Sequence, residues 1–139
     1  MSAAGKAIFD TNVFVDYARR GGHADLIERA PHTVYLSAVV RMELLAGADT
    51  PRTRRVVASV LDDFVALKRV VAPTAGVFER AGALLQMLRA AGEDVRRASF
   101  VNDLLIALTA REIGATVFTA DRDFARLRDV VGFELEILR

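Results

Sequence analysis

Short apolar segments alternate with helical segments along the whole chain, and this alternation constrains the fold most. The segments are too short for helices, and most lack the polar alternation of a half-exposed strand; they lie at 7–9, 34–36, 70–71, 116–118 and 135–137. Apolar residues at helical spacing fill the intervals. Strands buried on both faces and separated by helices are typical of parallel sheets. We therefore predict an α/β fold in which a short parallel β-sheet is sandwiched between α-helices.

Capping residues and glycines indicate where the helices begin and end. Ser37 is a favourable cap for a helix that Gly47 would end, and Gly114 is a favourable end for a later helix. No linker, repeat or low-complexity segment interrupts the pattern, so residues 1–139 should form a single domain. The other helices are predicted over about 13–20, 24–29, 100–113 and 122–128, with two more that open at Thr50-Pro51 and Pro73-Thr74.

Composition narrows the class of protein. The chain contains no cysteine, which excludes disulfides, thiolate metal sites and cysteine nucleophiles. It has no apolar run of the roughly 18 residues that span a bilayer, and its first six residues lack a signal-peptide core. We therefore expect a cytoplasmic protein without a membrane partner. The hydrophobic share of 53% exceeds the roughly 45–50% of a typical soluble domain, which predicts a partner surface such as a homodimer interface.

Two of the predicted strands lead into an aspartate. The first strand runs into Asp10, and the segment that contains the fourth runs into Asp121. In an open parallel sheet the ligand crevice lies beyond the carboxyl ends of the strands, so both acids should reach the edge where chemistry occurs. An aspartate after a strand is also a common cap for the next helix, and for either residue alone capping is the simpler interpretation. Two such acids, each close to a threonine, favour a functional site.

Two further acids lie within apolar helical segments. Asp103 is in a segment that is apolar almost all the way round, where an unpaired carboxylate would cost several kcal/mol. Either a helix begins near Asn102 and Asp103 caps it, or a cation compensates its charge, since Arg111 is too far along the helix for a local pair. Glu43 is in a second apolar segment, and its alternatives are a pair with Arg41 or exposure to solvent.

Together the four acids indicate a hard cation. The chain has only two histidines, His23 and His32, both beside turn residues. Carboxylate oxygens without thiolates or clustered histidines suit Mg²⁺ or Mn²⁺ and do not suit Zn²⁺. A carboxylate-held Mg²⁺ typically acts on phosphate esters, where it activates a water molecule and stabilises the developing charge. The sequence therefore predicts a magnesium or manganese site that acts on phosphate esters.

The order and spacing of these acids resemble those of the PIN domain family. The resemblance spans essentially the whole chain, and the short single-domain form is similar to the VapC toxins of bacterial and archaeal toxin–antitoxin pairs. It implies a single PIN-like domain and a Mg²⁺- or Mn²⁺-dependent endoribonuclease with an RNA substrate. The four motifs that carry it are Asp-Thr-Asn-Val-Phe-Val-Asp at 10–16, Ser37 with Glu43-Leu44, Asn102-Asp103 with Ile106-Ala107, and Thr-Ala-Asp-Arg-Asp-Phe at 119–124.

The resemblance also implies roles for individual residues. Asn12 and Thr119 match polar residues that orient the carboxylates or the water, and Asp123 matches an acid that contributes only in some members. Asp16 matches a structural position. A VapC-type toxin further implies a cognate antitoxin, whose C-terminal segment would insert an Arg or Lys into the acidic site. The family's metal-binding, catalytic acids correspond to Asp10, Glu43, Asp103 and Asp121.

Basic residues are the candidates for contacts with the RNA backbone. Nearly all of the 19 basic residues are arginines, whose planar guanidinium suits forked contacts with phosphate. Arg96 and Arg97 precede the Asp103 helix and are predicted to contact the phosphate backbone. The arginines at 52, 54 and 55 are more simply explained as a solvated face.

Three other functions fit parts of the pattern. A phosphorylatable receiver module needs a lysine at the carboxyl edge of the sheet, and the only lysines, Lys6 and Lys68, stand before a strand and beside a loop. A haloacid-dehalogenase-type phosphatase needs Asp-x-Asp after the first strand, but Asn12 stands at the third position. A non-catalytic PIN-like module that binds RNA or protein is the remaining alternative, and it usually lacks one of the acids.

Overall fold

The computed structural model describes residues 5–139; residues 1–4, which belong to the segment considered above for a signal peptide, lie outside that range. Every predicted strand is found. No helix in the described range is both long and apolar enough to cross a membrane. Residues 5–139 form β1 (Lys6–Phe9), α1 (Thr11–Arg20), α2 (Ala24–Arg29), β2 (Thr33–Ser37), α3 (Ala38–Gly47), α4 (Pro51–Ala66), β3 (Val70–Val71), α5 (Ala75–Ala90), α6 (Ala98–Ile113), β4 (Ala115–Thr119), α7 (Phe124–Val131) and β5 (Glu134–Ile137).

The strands form one parallel sheet in the order β3-β2-β1-β4-β5. In the central strand β1, Ala7, Ile8 and Phe9 are each at most 1% exposed. Successive residues of a strand point to opposite faces of the sheet, so burial of all three means that both faces are covered. This confirms the predicted α/β fold, a short parallel sheet sandwiched between helices.

The direction of strand addition reverses between β1 and β4. The chain places β2 and β3 on one side of β1 and then β4 and β5 on the other. At such a switch point the connections leave the sheet in opposite directions, and a crevice remains beyond the carboxyl ends of the strands. β1 is followed at once by Asp10, and β4 leads through Ala120 to Asp121. The topology therefore brings these two acids to the crevice.

Aromatic packing beneath the crevice fixes the ends of these two strands. The ring centroid of Phe9 lies 5.9 Å from that of Phe14 in α1 and 5.6 Å from that of Phe118 in β4. Pairs with such geometry contribute about 0.5–1.5 kcal/mol beyond their buried area. Phe9 directly precedes Asp10 and Phe118 directly precedes Thr119, so this packing limits movement at the site.

Some helix ends differ from the prediction because a cap was placed differently. α1 begins at Thr11 instead of near residue 13, since the Asp10 side chain accepts a hydrogen bond from the Thr11 N–H. Gly47 was expected to be the first residue after α3, but it is the last residue of the helix. Gly114 ends α6 as predicted, with a φ of 72° that glycine adopts readily.

Candidate active site

Asp10 is 4% exposed, and both of its carboxylate oxygens accept hydrogen bonds. Oδ1 accepts from the Thr11 N–H at 2.8 Å. Oδ2 accepts from the Thr119 hydroxyl at 2.8 Å and from the Asn12 amide at 2.9 Å. The Asp10 N–H donates to the carbonyl oxygen of Phe118 at 2.8 Å. Asp10 therefore caps α1 and at the same time belongs to the edge of the sheet.

Asn12 and Thr119 join the ends of β1 and β4. The Asn12 amide nitrogen also donates to the Thr119 hydroxyl oxygen at 3.1 Å, and its oxygen accepts from the Ala120 N–H at 3.0 Å. The Thr119 hydroxyl oxygen accepts from the Asp121 N–H at 3.0 Å. These are the contacts that an orienting role for both residues requires.

Glu43 is held by two residues that received no individual role in the sequence analysis. Its Oε1 accepts from the Thr11 hydroxyl at 2.6 Å, and its Oε2 accepts from the Asn102 amide at 3.4 Å. A pair with Arg41 is not among the ion pairs of residues 5–139. The sequence could have suggested these two partners, because Thr11 directly follows Asp10 and Asn102 directly precedes Asp103.

Asp103 lies in the second turn of α6, which begins at Ala98, so the interpretation of Asp103 as a helix cap is wrong. Burial raises the pKa of its carboxyl to about 8, and the negative charges of Asp10 and Glu43 add to the increase, as do those of Asp121 and Asp123. Carboxylates raise each other's pKa in this way when they are close. The charges of the other three predicted acids therefore lie near enough to Asp103 to act on its carboxyl.

Burial also raises the pKa of Asp10, although the hydrogen bonds from Thr119 and Thr11 oppose that increase. The charges of Glu43 and Asp121 then raise it further. Both shifts have the same physical origin, which is negative charge collected in a partly buried crevice. Such a crevice attracts a compensating cation.

Asp121 and Asp123 lie at the start of the segment that leads into α7. The Asp121 Oδ1 accepts from the Asp123 N–H at 2.9 Å. Asp123 is exposed, and its charge contributes to the raised pKa of Asp103. It is therefore at the rim of the acidic cluster, whereas Asp121 is within it.

Asp16, which matches a structural position of the family, makes its contacts at the C-terminal end of α1. Its carboxylate pairs with Arg20, and its Oδ2 lies 3.3 Å from the His23 Nε2. These pairs stabilise the turn after α1, and the Arg20 hydrogen bond lowers the pKa of Asp16. Its contacts do not reach the acidic cluster.

The donor chemistry of the four acids fits Mg²⁺ or Mn²⁺. Carboxylate oxygens are the ligands that these ions prefer. Within residues 5–139, no three acidic or histidine side chains already converge closely enough to hold an ion jointly. Binding of an ion would therefore require movement of these side chains toward it.

The structure separates the two arginines that were predicted to contact phosphate. Arg97 lines a groove together with Asp103 and Asp121. Arg96 lies 3.5 Å from the Asp94 carboxylate through its Nε, and its side chain is 89% exposed. Only Arg97 is therefore brought to the acids.

The sequence of the chain identifies the family to which this acidic site belongs. Residues 7–130 match the sequence model of the PIN domain. The chain belongs to the PIN domain family. The resemblance based on the four motifs is thus confirmed. No curated protein matches this PIN domain in a sequence search.

Solved toxin–antitoxin structures share the fold of this PIN domain. A chain of VapBC2 from Rickettsia felis, bound to a DNA fragment from their promoter, has a TM-score of 0.68 and 24% identity, and the match covers 96% of this chain and 99% of that chain. A chain of DNA-bound VapBC from Salmonella typhimurium has a TM-score of 0.69, 22% identity and coverages of 95% and 97%. A chain of VapBC-5 from Mycobacterium tuberculosis has a TM-score of 0.61, 26% identity and coverages of 96% and 98%.

Proposed function

We propose that this PIN domain is a metal-dependent endoribonuclease that hydrolyses RNA phosphodiester bonds. The observation that carries the proposal is the acidic cluster at the switch point of the sheet, which contains Asp10, Glu43, Asp103 and Asp121. Clustered carboxylates with raised pKa values are a feature of functional sites. Membership of the PIN family supports a nuclease, whereas metal dependence and RNA as substrate are parts of the proposal.

The hydrogen bonds of the chain would hold the four acids in position for catalysis. Bound Mg²⁺ or Mn²⁺ would supply an activated water molecule and neutralise charge that develops on the phosphate. Asn12 and Thr119 fix the oxygens of Asp10, and Thr11 and Asn102 fix those of Glu43. Such supporting bonds typically change metal affinity or activity by about 10- to 100-fold.

Removal and return of the metal test this function. EDTA should abolish RNA cleavage, and Mg²⁺ or Mn²⁺ should restore it. Either ion should also raise the melting temperature, because a ligand at 100 times its Kd stabilises the folded state by about 2.7 kcal/mol.

Asp103→Asn protein is the control and should show a much smaller increase in melting temperature. No increase in wild-type protein at millimolar ion would contradict the proposed site. RNA binding without cleavage would favour the alternative, a non-catalytic PIN-like module that binds RNA or protein.

We also propose that the protein is the toxin of a toxin–antitoxin pair. The similarity to chains of VapBC complexes supports a cognate antitoxin. A small, largely apolar groove between α1, α3 and α4 lies beside the acidic cluster, and we assign it to one side chain of the antitoxin's C-terminal segment. Glu43 lines this groove too, so an inserted Arg or Lys would reach the acids. The apolar lining comes from Val15, Ala18, Leu44, Ala48 and Val57.

A peptide with the antitoxin's C-terminal sequence should therefore block cleavage and compete with the metal. Its coupled folding in the groove should give a large negative heat-capacity change in calorimetry. Replacing the inserted Arg or Lys by Ala should restore much of the cleavage even where binding persists. Equal inhibition by the cation-free peptide would show that occlusion alone suffices.

The homodimer and the cytoplasmic location stay predictions. Met42 and Leu45 lie three residues apart on α3 and are 53% and 57% exposed. We propose that these two side chains belong to the surface that joins two copies of the chain. Sedimentation of the Met42→Ser and Leu45→Ser double variant would show whether this surface joins two copies.

A further inference from the structure

A pocket of about 530 Å³ lies between α1, α2 and the second half of α4. It is separate from the acidic cluster, since none of the four acids lines it. Its volume is within the roughly 300–1,000 Å³ of pockets that hold small ligands, and such pockets combine apolar walls with a few polar groups. Both kinds of side chain are present here. The aromatic and ionisable lining residues are Tyr17, Glu28, His32, Asp63, Phe64 and Arg69.

Two rings of the pocket wall are fixed by the core. The ring centroid of Phe64 lies 6.0 Å from that of Phe14, in an edge-to-face arrangement. The His32 ring meets the Phe118 ring in a similar way, with a centroid distance of 5.1 Å. A wall that is ordered before a ligand arrives lowers the free-energy cost of ordering on binding. The structure therefore offers a preformed aromatic surface.

The His32 ring also contains a polar atom without a partner. Its Nδ1 is buried and makes no hydrogen bond with residues 5–139. Buried polar atoms almost always have a partner, and one explanation for an exception is a molecule that binds beside it. Because His32 lines the pocket, a polar group bound there is a candidate partner.

Both signs of charge lie on the pocket wall without pairing with each other. Asp63 and Glu28 are exposed, and neither forms an ion pair with Arg69 in the described part of the chain. Glu28 accepts a hydrogen bond from the Tyr17 hydroxyl at 2.8 Å, which holds its carboxylate at this wall. The Arg69 N–H donates to the Phe64 carbonyl oxygen at 2.9 Å, so Arg69 lies beside the last turn of α4, which also carries Asp63. A ligand with one positive and one negative group can use both charges.

We infer that this pocket binds a small zwitterion with an aromatic body, the chemical class of the aromatic amino acids. The ligand's carboxylate pairs with Arg69, and its ammonium group faces Asp63 and Glu28. Its ring packs on Phe64, as aromatic pairs do in offset or edge-to-face geometry. A guanidinium suits a carboxylate because it can donate two parallel hydrogen bonds to it. The site is independent of the proposed nuclease function, since the two share no residue.

Fluorescence of the ligand itself tests this site, because the chain contains no tryptophan. When L-tryptophan binds to wild-type protein in EDTA, its fluorescence anisotropy should rise. Tryptamine lacks the carboxylate and indole-3-propionate lacks the ammonium group. Each should bind about tenfold more weakly, the effect of losing one hydrogen-bonded contact between charged groups. Equal binding of the three probes would show that only the indole ring is recognised, and it would overturn the zwitterion site.

Two substitutions assign the charges. Arg69→Gln should lower the affinity for L-tryptophan about tenfold and leave the affinity for tryptamine unchanged, because tryptamine has no carboxylate. Asp63→Asn should lower the affinity for L-tryptophan about fivefold, since Glu28 still faces the ammonium group. The same substitution should leave the affinity for indole-3-propionate unchanged, because that probe has no ammonium group.

Charged residues of α4 that do not line the pocket are the matched controls. Asp62→Asn and Arg55→Gln change exposed side chains and should bind L-tryptophan as wild type does. Thermal melts show which variants are folded, and the comparison of the three probes needs no variant. The site is overturned if wild-type protein does not bind L-tryptophan at millimolar concentration, or if Asp62→Asn weakens binding as much as Asp63→Asn does. Neither result bears on RNA cleavage, which is measured separately.

Discussion

Asp103→Asn should lower the rate of RNA cleavage by more than about a hundredfold while the protein stays folded. The substitution removes one of the four charges that would hold the metal, and metal catalysis contributes several kcal/mol to the stabilisation of the transition state. Asn has nearly the same size as Asp, and the hydrogen bonds described for residues 5–139 do not involve the Asp103 carboxylate. Single-turnover cleavage of RNA by repurified protein is the measurement.

Two further variants define this prediction. Asp62→Asn is the matched control, because Asp62 is an exposed acid of α4, and it should cleave at the wild-type rate. Asp10→Asn should also abolish cleavage, but it should lower stability. The new amide nitrogen would meet the donors of Asn12 and Thr119 that now bond to the Asp10 carboxylate. Wild-type cleavage by either site variant would contradict the assignment of the acids.

Asp103→Asn should also raise the free energy of unfolding at pH 8, in the presence of EDTA. The folded-state pKa of Asp103 is about 8, whereas its ordinary value is 3.8. Between these values the folded state retains a proton that the unfolded state has lost. Stability is therefore full below about pH 4 and falls as the pH rises toward 8. Allowing for relaxation of the acids, we expect a gain of about 2 kcal/mol at pH 8 and almost none at pH 4.

Urea denaturation at several pH values between 4 and 8 measures this difference. The gap between Asp103→Asn and wild type should widen steadily with pH. Asp62→Asn should follow the wild-type pH dependence, because Asp62 is exposed. Parallel curves for Asp103→Asn and wild type would show that the Asp103 carboxyl is not buried among like charges. The separate rate measurement would be unaffected by that outcome.

Local patterns in the sequence were sufficient to predict the helices and strands. They also predicted that two of the four acids lie at the carboxyl edge of the sheet. All five predicted strands are found. β1 and β4 were predictable because a strand that is buried on both faces is apolar almost throughout, whereas β5 alternates between exposed glutamates and half-buried apolar residues. Asp10 and Asp121 follow strands β1 and β4, and parallel strands present their carboxyl ends at one edge. These are properties of neighbouring residues, so no distant contact was needed to predict them. The PIN motifs are also local sequence patterns, and the match to the PIN family model confirms the resemblance that they indicated.

Contacts between distant residues decided the rest. Whether Asp103 caps a helix depends on where α6 begins, and α6 begins at Ala98 although the Arg97 side chain makes no capping hydrogen bond. Glu43 bonds to Thr11 of α1 and to Asn102 of α6, two partners that only the packing of three helices brings near it. Arg96 and Arg97 are adjacent in sequence, yet only Arg97 lines the groove with the acids.

The groove itself was not predictable from periodicity. Phe100 and Arg126 line it from different helices, and their proximity depends on how α6 and α7 pack against each other. Helical spacing indicates which side of one helix is apolar, but it does not indicate which residues of two helices meet. The sequence by itself therefore determined the parallel α/β fold and the acids that follow its strands. The packing of the helices decided which side chains surround those acids, because packing sets the rotation of each helix over the sheet.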